Sequence, residues 1–238
     1  MTTITVALVA CDNDDEMSVS GDITNEEAAE QVASSVASEV VTTAADAGVL
    51  FSDADNGRIS SNGRIQECGV EFDSTISKSY NGQFLTYTLD IDYDYQLVCT
   101  NNFPSDLDYS FNLQGTLDGR RLESEGVTAG DLMATGFNLS SSDYIVNGEM
   151  NRTYSLLQKE GQQNSFNSQS EIIITDLSID KNTRVITGGE VSFSVSGTRI
   201  GGDEFSFTAT AIFNGDGTAT VLVDGEEYIV DLNTGSIE

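Results

Sequence analysis

A chain of 238 residues with 38% apolar side chains is long enough for one large domain or two small ones around a real core. Ten Lys and Arg stand against 39 Asp and Glu, and the formal charge of -29 repels phosphate backbones, which makes DNA and RNA poor partners. The absence of His removes the Ser-His-Asp and Cys-His triads and nearly all His-containing zinc and non-haem iron sites, while the absence of Trp leaves any sugar stacking to 8 Tyr and 11 Phe.

The chain opens on an uncharged apolar run, residues 1–10, too short for the roughly twenty residues that a membrane-spanning helix needs. It switches at once to the acidic string Asp12-Asn13-Asp14-Asp15-Glu16. At Leu8-Val9-Ala10-Cys11 the run resembles the lipobox of bacterial lipoproteins. That resemblance implies residues 1–10 as a signal peptide, cleavage before Cys11, and a diacylglycerol anchor on the Cys11 thiol. The acidic string is similar to the signal that sends Bacteroidota lipoproteins to the outer face of the outer membrane, which implies a lipid-anchored protein at the cell surface, or otherwise on the periplasmic face. The run has no Lys or Arg, so the basic start of such a signal is expected upstream of Met1. A buried first strand over residues 4–9 with a core Cys is the alternative, but it would not run straight into four acids in five residues.

Residues 11–23 read as lipid anchor and acidic tether. Thr24 with Glu27 makes a capping-box pattern for a helix over residues 24–48, with Ala29, Val32, Ala33, Val36, Ala37, Val40 and Ala44 at three- and four-residue spacing and Gly48 at the C-cap. Its stripe of small apolar residues suits close packing on a sheet.

The β-domain is expected over residues 58–238. Period-two alternation runs through residues 88–99, 107–113, 191–195, 205–213, 219–223 and 228–232, separated by Asn-Gly, Asp-Gly and Gly-Gly steps, with Asn214-Gly215-Asp216-Gly217 the clearest hairpin turn. The expected fold is mainly β: an antiparallel meander forming a barrel or sandwich with one N-terminal helix packed on it. Residues 110–119 resemble residues 192–201, and Tyr144-Ile145-Val146-Asn147 recurs as Tyr228-Ile229-Val230-Asp231, so two related units, 60–143 and 144–227, are an option that chance strand similarity would also produce.

With Cys11 lipidated, Cys68 and Cys99 remain as an even pair in an oxidising compartment. Cys68 shares a face with Val70 and Phe72, and Cys99 with Leu89, Ile91, Tyr93, Tyr95 and Leu97, so both sulfurs are expected on the core side, as a disulfide or as two buried thiols. A two-residue hairpin at Asn81-Gly82 would set Cys68 opposite Tyr95, four residues short of Cys99, so the bridge requires a longer turn or a bulge.

Asp90, Asp92 and Asp94 project from one strand face as weak Ca²⁺ candidates, read first as a solvated acidic face. Asp53-Ala54-Asp55-Asn56-Gly57 is one residue short of a calcium-loop spacing and reads as a turn. No catalytic residue, resident metal or cofactor is indicated. The leading functional expectation is a noncatalytic envelope or surface lipoprotein whose β-domain binds a partner, such as a glycan or an envelope protein. The alternatives are a lipid or small apolar ligand carrier built on a half-open barrel, and a carboxylate-dependent glycan hydrolase. Labelled palmitate is expected to enter the protein in a bacterial host and to disappear with Cys11→Ala; label that persists in the variant removes the anchor.

Overall fold

The computed structural model describes residues 23–41, 48, 51, 68–82, 85–101, 103–120, 122–137, 140–159, 165–199 and 202–237. The lipobox with Cys11, the tether up to residue 22, the turn at residues 53–57 and residues 42–47 of the expected helix lie outside the described residues.

The helix begins where its caps place it. Thr24 Oγ1 accepts from the Glu27 amide at 3.2 Å, and Glu27 Oε2 accepts from the Thr24 amide at 3.0 Å, so two otherwise orphaned donors are satisfied together. Ile23 just before the cap and Ala28 one turn on are both buried, fixing the angle at which the chain enters. From there α1 runs Asn25–Ser35 and continues as a π-helical turn, Val36–Val40. Gly48, expected to end the helix, is itself helical, as is Phe51. A methyl group at Gly48 would sit against Ile179 and Arg184, and Phe51 is fully buried against Phe137 and Tyr144.

Ten strands follow: β1 Glu71–Asn81, β2 Leu85–Thr100, β3 Phe103–Gly119, β4 Leu122–Thr135, β5 Asp143–Gln158, β6 Ser165–Asp180, β7 Ile186–Arg199, β8 Glu204–Phe213, β9 Thr218–Val223 and β10 Glu226–Asp231. They form one antiparallel sheet in sequence order, a meander in which each strand pairs with its neighbours in the chain. The expected architecture, a β-meander with one helix packed on it, is the one observed. The sheet is not closed into a barrel, and β1 and β10 are its two edges.

Period-two alternation puts the apolar residues of β2 to β10 on a single face. Leu107, Tyr144, Met150, Ile172, Phe193, Ala211, Val221 and Val230 are all buried there. Helix α1 packs on β8, β9 and β10, and its Gln31 is also reached by Tyr154 of β5. In a flat sheet β5 and β9 would lie about 19 Å apart, wider than a helix of about 10–12 Å, so the sheet curls around α1. On the inward face of β4, Gly130 leaves room for its neighbours, because a Cβ there would come within 2.8 Å of Met150 and 2.7 Å of the Phe111 ring. The hairpin at Asn214-Gly215-Asp216-Gly217 joins β8 to β9 with both glycines at positive φ, as its sequence requires.

Residues 110–119 fall in β3 and residues 192–199 in β7, whereas Tyr144 is on β5 and Tyr228 on β10. The two matched pairs are thus four and five strands apart, and one shift of the sheet along itself does not superpose both.

A disulfide joins Cys68 to Cys99, with Cα atoms 5.6 Å apart. The turn is longer than two residues: Asn81 pairs with Thr86, and the same register carries Glu71 to Gln96 and so sets Cys68 level with Cys99. The inward orientation expected of both sulfurs holds only in part. Cys99 packs partly against the core, but Cys68 is exposed, because it precedes an edge strand with no further strand beside it among the described residues. The bridge closes a sequence separation of 31. Cys68→Ser with Cys99→Ser is expected to lower unfolding free energy by about 3–4 kcal/mol on the chain-entropy account, read as an earlier urea midpoint.

Candidate functional site

The outward face of the sheet is acidic, with one largely neutral patch. Over β1 to β4 it carries Asp73, Asp90, Asp92, Asp94, Asp108, Asp118, Glu123, Glu125 and Asp131. Hydroxyls on neighbouring strands meet several of these carboxylates: Thr75 donates to Asp92 at 2.9 Å, Ser77 to Asp90 at 2.6 Å and Ser110 to Asp131 at 2.7 Å. Asp94 stands opposite Asp73 on one side and Ser110 on the other. Asp90, Asp92 and Asp94 therefore follow one another along a strand rather than converging, and among the described residues no group of His, Cys, Asp or Glu is placed to share a metal ion.

On β5 to β8 Glu149, Asp176 and Glu190 keep one end of the outward face acidic, and toward the other end the composition changes. The register of β5 to β8 aligns outward residues in three rows: Ser155, Asn167, Thr198 and Glu204; Thr153, Gln169, Ser196 and Ser206; Asn151, Glu171, Ser194 and Thr208. Within a row, neighbours are separated by the strand spacing of about 4.8 Å, and rows by about 7 Å. Ten of these twelve side chains are neutral hydroxyls or amides, in a chain with 39 carboxylate residues, and eleven are exposed. They line a groove of about 910 Å³ that continues into one of about 530 Å³, the two sharing Thr153, Gln169, Ser196 and Ser206. Chemically this is a lattice of neutral hydrogen-bond donors and acceptors, with the carboxylates of Glu125, Glu171 and Glu204 at its margins.

The same four strands are held from beneath by polar contacts. Tyr154 Oη donates to Gln31 Oε1 of α1 at 2.9 Å, and the Arg152 guanidinium lies 3.8 Å above the Tyr154 ring. Arg152 Nη2 also donates to Ser124 at 3.3 Å, with Thr128, Ser168 and Ser170 buried on the same face. Arg199 Nη2 of β7 donates to Glu27 at 2.9 Å, so the carboxylate that caps α1 also ties it to the sheet. The helix thereby takes the place that an apolar ligand would need over β8 to β10.

No family model, curated protein or solved structure matches the chain. Among the described residues no helix is long and apolar enough to cross a membrane.

Sequence reading did not single out the groove. Its signal was present in Ser192-Phe193-Ser194-Val195-Ser196, where small hydroxyls alternate with core residues. Which hydroxyls become neighbours depends on the registers of four strands, and no local motif encodes that.

Perturbed ionisation lies in turns and at the rims. Lys159 is raised by donating to Asp118, with Glu123 also nearby. Tyr228 is pushed up to about 12 by burial and by donating to Glu226 at 2.7 Å. Asp180, Asp216 and Asp231 are lowered because each accepts hydrogen bonds from the residues its turn brings round: Thr183 first for Asp180, the Thr218 hydroxyl first for Asp216, and the Asn233 amide first for Asp231. A carboxyl lowered on folding contributes stability that is present above its unfolded value of 3.8 and is lost as pH falls through its folded value. Wild type and Asp216→Ala are accordingly expected to differ in urea midpoint at pH 6 and to converge well below pH 3.8; a difference that persists in acid would show that the hydrogen bonds to Thr218 are not its source.

Proposed function

We propose that this protein is a noncatalytic lipoprotein of the bacterial cell envelope, held at the outer membrane through Cys11, whose β-domain binds a neutral glycan in the groove across β5 to β8. The observation that carries this reading is the neutral lattice of hydroxyls and amides on the outward face of an otherwise acidic chain. An uncharged polyhydroxylated chain exchanges its water hydrogen bonds for such a lattice without confronting buried charge, whereas a polyanion would be repelled by the acidic face of β1 to β4. The outward positions of the groove carry no aromatic ring, so affinity rests on hydrogen bonds, each worth about 0.5–1.5 kcal/mol, and many contacts along an extended ligand are needed.

The spacing of its carboxylates favours binding over hydrolysis. Two acids acting on one glycosidic bond lie about 5–9.5 Å apart. Glu125 and Glu204 end the same row, four strand spacings or about 19 Å apart along the sheet, and Glu171, two rows and two strands from each, lies about 17 Å from either.

Affinity electrophoresis through gels containing a neutral glucan, mannan or xylan, with alginate as the anionic control, tests this reading. A neutral polymer is expected to retard the protein and alginate is not. Asn167→Ala combined with Gln169→Ala is expected to weaken the retardation about tenfold, from two lost hydrogen bonds. Retardation by none of the neutral polymers, or equal retardation of the variant, rejects the groove as a glycan site.

A further inference from the structure

We infer that β1 is a self-association edge, through which two copies of this chain pair antiparallel about a two-fold axis at Ile76 and join their sheets into one. The two edges of the sheet are unlike. β10 has six residues, and the chain turns back across it, with Val230 bridged to Ile237 and the Asp231 amide donating to the Ser236 carbonyl. β1 has eleven residues in unbroken register with β2, no proline and no bulge, and among the described residues no strand lies on its other side. Alternate N–H and C=O groups along such an edge point away from the sheet and form a template for another strand. The Cys68–Cys99 bridge fixes its leading end to β2, so little order is lost on pairing.

The sequence of β1 indicates which strand fits. It is nearly palindromic in chemistry about its midpoint, Ile76. With the axis there all eleven residues pair: Phe72 meets Tyr80 of the other copy, Ile76 meets itself, Ser74 meets Lys78, Asp73 meets Ser79 and Glu71 meets Asn81. Aromatic faces aromatic and no like charges oppose one another. Tyr80, half exposed at 51% beside Tyr87, gains a cover that the single chain does not provide. Centring the axis on Thr75 sets Phe72 against Lys78, and centring it on Ser77 sets Ile76 against Lys78, so neighbouring registers bury an ammonium against an apolar side chain. An isologous contact of this kind closes on itself and stops at two copies, because β10 offers no matching edge.

The charge of -29 on each copy opposes this association, and salt relieves it as the screening length falls from about 30 Å at 0.01 M to about 3 Å at 1 M. Sedimentation velocity of the full chain over a concentration series is therefore expected to show a monomer–dimer equilibrium that shifts toward dimer with NaCl. Ser79 is exposed and opposite Asp73 of the other copy, so it reads the register without disturbing the fold. Ser79→Asp opposes two carboxylates at two symmetry-related points and is expected to raise the dimer dissociation constant about tenfold, while Ser79→Lys lowers it by a similar factor. Ser192→Lys, on the outward face of β7, carries the same change in net charge and is expected to lower the constant far less. A monomer at every concentration and salt overturns the proposal. So does a dimer to which the two Ser79 variants are indifferent, or which they move in the same direction.

Discussion

The described residues form a single β-sheet with no second sheet opposite it among them, and the need to hide one face shapes the rest of the structure. Because side chains alternate across a strand, strands paired in sequence order, with bulges absorbing the register shifts of β2–β3, β5–β6 and β6–β7, deliver their apolar residues to the same side. The sheet meets the requirement by curling and by taking a helix into the hollow. Helix α1 suits that place because Ala28, Ala29 and Ala33 let the backbone approach closely, while Val32 and Val36 fill the space around them. Nearly every side of the helix is buried, including Glu27, Gln31, Ser34 and Ser35, and its polar atoms are partnered inside only in part, since Gln31 Nε2 and Ser35 Oγ meet no hydrogen-bonding group among the described residues. Gln31 accepts from Tyr154, and Glu27 from Arg199.

That arrangement links the inner face to the outer one. Polar inward residues gather on β4 to β7: Ser124 and Thr128 on β4, Arg152 and Tyr154 on β5, Ser168 and Ser170 on β6, and Arg199 on β7, so three of the four strands that line the groove carry them. Contacts from helix to strand hold the groove floor from beneath, while the outward residues of the same strands remain open to solvent. The acidic face over β1 to β4 is the counterpart. Its carboxylates are spread along strands and met by neighbouring hydroxyls, so their repulsion is distributed rather than focused into a site. Charge spreads over most of this surface, and the neutral side chains of β5 to β8 form one patch within it.

How much of this was legible in the chain depends on how local each feature is. Thr24 and Glu27 announced the helix start because a capping box is complete within four residues. The strands with apolar inward positions, such as β2, β3 and β8, read as alternation. Strands β4, β5 and β6 were less legible, because Ser124, Thr128, Arg152, Ser168 and Ser170 put polar residues on the inward side and mask the period. Spacing alone sets off Asp90, Asp92 and Asp94, which the fold spreads along an acidic face, and carries no sign of Asn167, Gln169 and Ser196, which it brings together.

By itself, the sequence determined the class of structure: a mainly β meander, a capped helix of small residues, a glycine-rich hairpin at Asn214-Gly215-Asp216-Gly217, and two cysteines available to each other. Each of these follows from hydrogen bonds or side-chain periods that span a few residues. Only the tertiary structure decided that the sheet stays open, that the turn after Asn81 is long enough to bring Cys68 level with Cys99, and that neutral side chains from four strands form one groove. Those outcomes are sums over successive registers and over the curl that the buried helix imposes. A shift of one residue in any register would turn a strand's outward face inward, and no short stretch of sequence contains that sum.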